Sequence, residues 1–184
     1  ADTVDIEKKG FSTSVYFGAA DDYYHRVGYD LTRNSTTQKS SEATSLTGEE
    51  NKSLTSSSVR YTLGRRTLDS RYDPTEGSLF EITEEYSGLG GDVNFLKTQI
   101  RSAYYKPFAF RKYVLGLRGE IGYVDGLGDK ISQSARFNLG GRRLRGFDAG
   151  GVGPRDIGSG SAVGGNKIYS GSVEIILIPL TKYL

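Results

Sequence analysis

Cysteine, methionine and tryptophan are absent from the 184 residues, and histidine occurs once, at His25. Without thiols there is no disulfide framework and no cysteine nucleophile. A single imidazole cannot furnish a zinc or other transition-metal site. No cofactor is expected. Charge of one sign is lacking too: 24 Lys and Arg stand against 22 Asp and Glu. Nucleic-acid binding draws most of its affinity from a basic excess, so nucleic acid is not an expected partner. No apolar run approaches the ~20 residues of a membrane-crossing helix. That leaves membrane-crossing strands open, because they alternate apolar and polar residues and give little hydropathy signal. The lack of Met and of any leader, with the polar opening Ala1–Lys9, reads as an internal piece of a longer protein.

Catalytic signatures are also missing. There is no Gly-x-Ser-x-Gly nucleophile elbow and no His-Glu-x-x-His pair. Glu84 and Glu85 are adjacent, so a strand points them to opposite faces, which is poor geometry for paired acid and base. Gly150-Gly151-Val152-Gly153 precedes no Gly-Lys-Ser/Thr, so it is not a phosphate loop. An enzyme is not expected.

What is abundant is glycine, tyrosine and two-residue alternation. Phe11, Thr13, Val15 and Phe17 alternate with Ser12, Ser14 and Tyr16, and Val27, Tyr29 and Leu31 with Arg26, Gly28 and Asp30. Similar stretches run over Val59–Leu63, Phe80–Tyr86, Leu96–Tyr104, Tyr113–Tyr123 and Tyr169–Leu177. Only Glu84 falls on an apolar side. This predicts about seven antiparallel strands, each near the ~9–11 residues that cross a bilayer at a tilt.

Alternation alone fits a soluble sandwich or small barrel as well as a membrane barrel. The connections separate them. Ala19–Tyr23, Ser70–Gly77 and Lys106–Lys112 are short. Arg33–Lys52 and Asp125–Lys167 are long, and Ser87–Asn94 is a Gly-rich loop. Such sorting by end suits a barrel with tight periplasmic turns and longer external loops. The polar face carries Arg26, Arg60, Glu81, Glu85, Lys97, Arg101, Arg118, Glu120 and Glu174, a set that a hydrated lumen accepts and a packed interior does not. Tyr23, Tyr24, Tyr72, Tyr86, Tyr104, Tyr105, Tyr113 and Tyr123 sit near strand ends, where an interfacial girdle would lie, and His25 is expected beside it. The fold class is therefore all-β: an antiparallel transmembrane β-barrel segment of about seven meandering strands with a long Gly-rich loop.

That loop contains apolar anchors, Phe137, Leu139, Leu144 and Phe147. Among them stand Gly140-Gly141, Arg145-Gly146-Phe147, Gly153-Pro154-Arg155-Asp156 and Gly164-Gly165-Asn166. With Tyr86–Asp92, Asp73–Gly77, Tyr104–Pro107 and Asp125–Gly128, this ordered set resembles the BamA-type family of outer-membrane protein assembly factors, and the loop resembles the family's sixth external loop. The likeness is best over Ser57–Leu180; before Ser53 only the strand rhythm matches. A permanently charged guanidinium pairs well with a carboxylate, Gly146 permits a close approach or a positive φ, and Phe147 can anchor beside the wall. An inward-turned Arg145 needs an acid projecting from a strand, and Glu174, on the charged face of the strand immediately after the loop, is the best candidate. The resemblance implies that Arg145 pairs with it, and with an Asp on a strand after Leu184.

The resemblance further implies that residues 1–184 belong to one outer-membrane barrel domain, the periplasmic domains and the first and last barrel strands lying outside it. It implies a parent that folds and inserts other β-barrel proteins in the bacterial outer membrane. Expected partners are unfolded outer-membrane proteins, accessory outer-membrane lipoproteins and outer-membrane lipids. A two-partner-secretion or translocation pore of the same superfamily, plugged by the loop, is the alternative. A soluble β-sheet binding module is the third reading.

Overall fold

The computed structural model describes residues 4–19, 21–38, 53–110, 112–128, 131–141, 143–158 and 160–178. Seven strands form one antiparallel sheet in sequence order: β1 (Val4–Gly18), β2 (Tyr23–Gln38), β3 (Ser53–Arg66), β4 (Gly77–Ser87), β5 (Phe95–Phe108), β6 (Tyr113–Gly126) and β7 (Lys167–Leu177). Among the described residues the sheet is not closed: β1 and β7 are its edges. The only helical piece described is a 3-10 turn, Gln133–Ala135.

The strand count agrees with the alternation, but the strands run longer than expected, from 11 to 16 residues. β2 continues through Asn34 to Gln38, and β3 begins at Ser53. β2 thus crosses into the stretch expected to be a polar loop, and β3 starts where that stretch ends. Polar residues there do not end the hairpin, because Arg33, Asn34 and Ser35 still pair with Thr55, Leu54 and Ser53. The rest of that loop lies outside the described residues.

The two faces follow residue parity. Phe11, Val15, Phe17, Val27, Leu31, Phe80, Leu96, Ile121, Val173, Ile175 and Leu177 share one face and are exposed. So broad an exposed apolar face marks an interaction surface, and its alternation with a charged face suits contact with a bilayer. Register then gives the tilt. At β1 this apolar band ends, toward the short turns, at Phe17, which lies on one row with His25, Leu63, Ile82 and Ile100. At β7 the same row meets Tyr169, already the band's other end, and the short-turn end has moved to Leu177 on the row of Phe108. With ordinary rise and strand spacing, that slippage corresponds to a tilt of about 40°, as in outer-membrane barrels.

The opposite face carries all nine charged residues assigned to it by parity. Tyr24 and Tyr105 join them and are buried, at 2% and 5% exposed, so neither belongs to an interfacial girdle. Each immediately follows or precedes an outward tyrosine, and consecutive strand residues cannot share a face. Both lie across glycines, Tyr24 over Gly64 and Tyr105 over Gly116. Glu84 does face outward; it accepts a hydrogen bond from the Thr98 hydroxyl at 2.8 Å, a local partner on the neighbouring strand. His25 is outward as well, 2.7 Å from the Tyr61 hydroxyl.

Candidate functional site

The inner wall is organised around carboxylates that each serve several donors. Glu81, almost fully buried, accepts from the Tyr24 hydroxyl and lies 3.7 Å from Arg26 and 3.4 Å from Arg101. Toward the long-loop end, Arg60 bridges Asp30 at 3.2 Å and Glu85 at 3.3 Å. These pairs join β2, β3, β4 and β5. They are half-hydrated, with the arginine side chains 42–48% exposed, so each contributes less than a dry pair would.

The long connection, residues 127–166, folds back over this wall. Its main anchor is Phe137, 5% exposed, which packs with Val93, Phe95, Val124, Ala135 and Ile168. The ring occupies a notch left by Gly122 in β6, where an added Cβ would stand 2.5 Å from the ring and 2.9 Å from Ile168. Lys97 clamps the same point from β5: its ammonium lies 4.3 Å above the Phe137 ring and donates to the Ala135 carbonyl at 2.8 Å. Phe137 and Gly165 exchange both backbone hydrogen bonds at 2.9 Å, so the loop enters and leaves as a short ladder.

The Gly-rich loop 88–94 supports this plug. Asp92 receives the Thr55 N–H at 2.8 Å through its carboxylate and returns its own N–H to the Thr55 carbonyl at 2.8 Å. Gly91 leaves room for that approach, since a Cβ there would stand 2.7 Å from the Thr55 carbonyl oxygen. The turn so fixed delivers Val93 and Phe95 to the Phe137 cluster.

At the loop's tip two arginines reach adjacent strands. Arg143 lies 3.7 Å from Glu120 in β6, whose carboxylate also accepts from Gln99. Arg145 lies 3.9 Å from Glu174 in β7 and remains 84% exposed. Glu174 has a closer partner in Arg118, at 3.0 Å, which in turn donates to the Tyr105 hydroxyl. The sequence-expected Arg145–Glu174 contact is thus present but long, and Glu174 is held chiefly from its own wall. Gly146 adopts φ +90 with open space around it, so the triplet uses its positive φ and not a close approach.

Phe147 does not anchor beside the wall. It is 52% exposed, and its carbonyl closes the tip by accepting the Gly141 N–H at 2.8 Å. The wall contact that sequence reasoning assigned to Phe147 belongs to Phe137. Leu139 packs partly against the Phe137 cluster, and Leu144 lines the cavity described below. Gly140, at φ +134, presses against the Asp148 carbonyl, a contact only glycine tolerates.

Gly153, Pro154, Arg155 and Asp156 form a small outward hairpin. Arg155 bridges to Ala162 and donates to the Gly160 carbonyl at 2.8 Å, and Pro154 accepts from Val163. The backbone and side-chain hydrogen bonds of Pro154 and Arg155 described here run to other residues of the loop. The sequence reading puts Lys97 and Glu120 on the charged face, but it misses their contacts with the loop and the parts played by Gly122 and Arg143. A glycine inside the β6 alternation was the available signal, since such glycines often mark a close approach.

Between tip and wall lies a cavity of about 510 Å³ whose charged lining is Glu81, Arg101, Arg118, Glu120, Arg143, Arg145 and Glu174. Among the described residues no cluster of His, Cys, Asp and Glu could hold a metal ion. The arrangement is a loop docked over a cavity with a charged lining.

Comparison with known proteins agrees with this geometry. The model of the Omp85 superfamily domain matches residues 1–183, so the likeness extends over the first two strands as well. The chain is 29% identical over 167 residues to the outer membrane protein assembly factor BamA of Neorickettsia risticii, covering 90% of this chain and 22% of that protein. It is 28% identical over 180 residues to BamA of Nitratidesulfovibrio vulgaris, covering 95% and 23%. It is 35% identical over 115 residues to the mouse sorting and assembly machinery component 50 homolog, covering 59% and 24%. The chain thus spans under a quarter of the length of these relatives. The fold matches the crystal structure of Haemophilus ducreyi BamA lacking POTRA domains 1-3 with a TM-score of 0.78 at 20% identity, over 95% of this chain and 38% of that one. The chain belongs to the Omp85 superfamily, as a stretch of a BamA-type barrel of the bacterial outer membrane.

Proposed function

We propose that the protein carrying this chain folds and inserts other β-barrel proteins into the outer membrane, and that residues 127–166 lock the barrel interior while it does so. The single observation that supports this reading best is the docked loop, held by Phe137 in the Gly122 notch and by arginines at its tip. The curated relatives named above are assembly factors. In this proposal the substrates are unfolded outer-membrane proteins, with accessory lipoproteins and outer-membrane lipids as partners. The work is done without bond chemistry: exposed strand edges template incoming strands through main-chain hydrogen bonds.

Within the loop the proposed roles differ by residue. Arg145 and Glu174 form the locking contact, with Gly146 setting the backbone turn and Phe147 closing the tip. Gly140 and Gly141 shape that tip. Gly153, Pro154, Arg155 and Asp156 keep the outer hairpin rigid.

The test is to place Arg145→Ala, Arg143→Ala and the double substitution in the full protein. Loop proteolysis and the amount of folded client barrel in the membrane are then followed. An exposed ion pair contributes about 0.2–1 kcal/mol. Each single change should therefore raise cleavage within residues 137–160 by roughly 1.4- to 5-fold, the double change more, and client barrels should fall with it. Unchanged cleavage would remove the locking role. Normal client levels combined with a large, steady ion conductance in the variants would favour a translocation pore instead.

A further inference from the structure

The three short turns share one end of the sheet but not one chemistry. Between β1 and β2 the turn contains Asp21 and Asp22, both at positive φ, a conformation aspartate accepts. Between β3 and β4 the connection 67–76 carries Asp69, Asp73 and Glu76 with one arginine. The β5–β6 turn inverts this. The connection 109–112 carries Arg111 and Lys112 and no acid, and Lys106 stands just before it. Ala109 and Phe110 hold φ of 48 and 56, the left-handed region that bulky side chains avoid. The strained backbone presents the Phe110 ring fully exposed, at 107%.

Phe110 stands in the turn two residues beyond Phe108, at the end of the lipid-facing band. Phe108 and Tyr113 close that band on paired positions and stack at 5.7 Å between ring centroids. Lys106 occupies the outward position between Tyr104 and Phe108 and is exposed. Lys112 lies 5.7 Å over the Tyr113 ring. Aromatic rings flanked by amines at the end of a membrane-facing surface match the boundary where acyl chains give way to headgroups.

We infer that the β5–β6 turn is an anchor for anionic phospholipid in the leaflet at the short-turn end. Phe110 inserts at the acyl–headgroup boundary, and Lys106 and Lys112 face the lipid phosphates. Two features select a lipid over a protein as occupant: the patch is continuous with the lipid-facing band, and its charge complements anionic headgroups. The neighbouring acidic turns would repel such lipids, so enrichment should be local. This rests on the reading that the chain crosses the outer membrane.

The test uses the full protein with Phe110→Trp, reconstituted in phosphatidylcholine vesicles containing a minority of phosphatidylglycerol, with bromine on one lipid or the other. The emission added by the new tryptophan is the readout, and Leu117→Trp in the mid-band serves as the reference. At residue 117 both brominated lipids should quench in proportion to their abundance. At residue 110 brominated phosphatidylglycerol should quench beyond its abundance. A basic residue near an anionic surface is worth up to about five-fold in local enrichment. That excess should disappear with Lys106→Gln and Lys112→Gln together. Three results would overturn the anchor while leaving the barrel intact: an unquenched tryptophan at 110, quenching there in simple proportion to abundance, or an excess that survives loss of both lysines. An unquenched tryptophan at 117 would overturn the membrane reading itself, and the anchor with it.

Discussion

Two phenylalanines ten residues apart divide the work of the loop, and their difference is one of shape at a single wall position. Phe137 is buried because Gly122 offers no side chain beneath it; Phe147 has no such notch and stays half exposed. Gly122→Val should therefore act as an overpacking change. Bulk at that site meets both Phe137 and Ile168, with a cost of about 1–3 kcal/mol. The expected outcome is a loop cleaved faster by protease, with the barrel still resistant to unfolding in detergent. Equal cleavage of variant and parent would mean the notch does not hold the loop.

At this scale sequence reading succeeded where a residue's chemistry is local and failed where it depends on a distant partner. The charge on Glu174 and its position on the polar face were legible from alternation, and so was its nearness to Arg145 by resemblance. That Arg118 is its closer partner was not, because this depends on the register of β6 against β7. The seating of Phe137 on Gly122 was hidden for the same reason.

Among the elements, strands were legible and their ends were not. Period-2 alternation reports which face is apolar, whereas the polar extension of β2 is held by pairing with the start of β3 and leaves no apolar trace of its own. Turns obey local rules. In the β3–β4 connection Asp69 accepts the Thr75 N–H at 2.9 Å, the Thr75 hydroxyl at 2.6 Å and the Glu76 N–H at 3.1 Å. Partial burial acts to raise its pKa, but these hydrogen bonds to the charged form outweigh it and the pKa is lowered. The folded pKa lies below the unfolded value near 3.9. The turn's contribution to stability is therefore fully present above that value and lost as pH falls through the folded pKa. Thermal unfolding should lose less between pH 5 and pH 3 in Asp69→Asn than in the parent. An identical pH response would show that the carboxylate does not hold this turn.

For the molecule as a whole, the apolar band slips by its full height from β1 to β7, and that slippage fixes how the inner wall meets the loop. Tilt brings β6 and β7 beneath residues 137–145, so Glu120 and Glu174 stand under the tip and the Phe137 cluster fills the space toward the long-loop end. The central claim is that residues 127–166 are docked against the inner wall. Hydrogen exchange on the full protein in a bilayer tests it most directly. The amides of Phe137, Val152 and Gly165, bonded to Gly165, Leu139 and Phe137 respectively, should be protected in the parent and should lose protection in Gly122→Val. Exchange of all three at the rate of a free chain in the parent would contradict the docked loop.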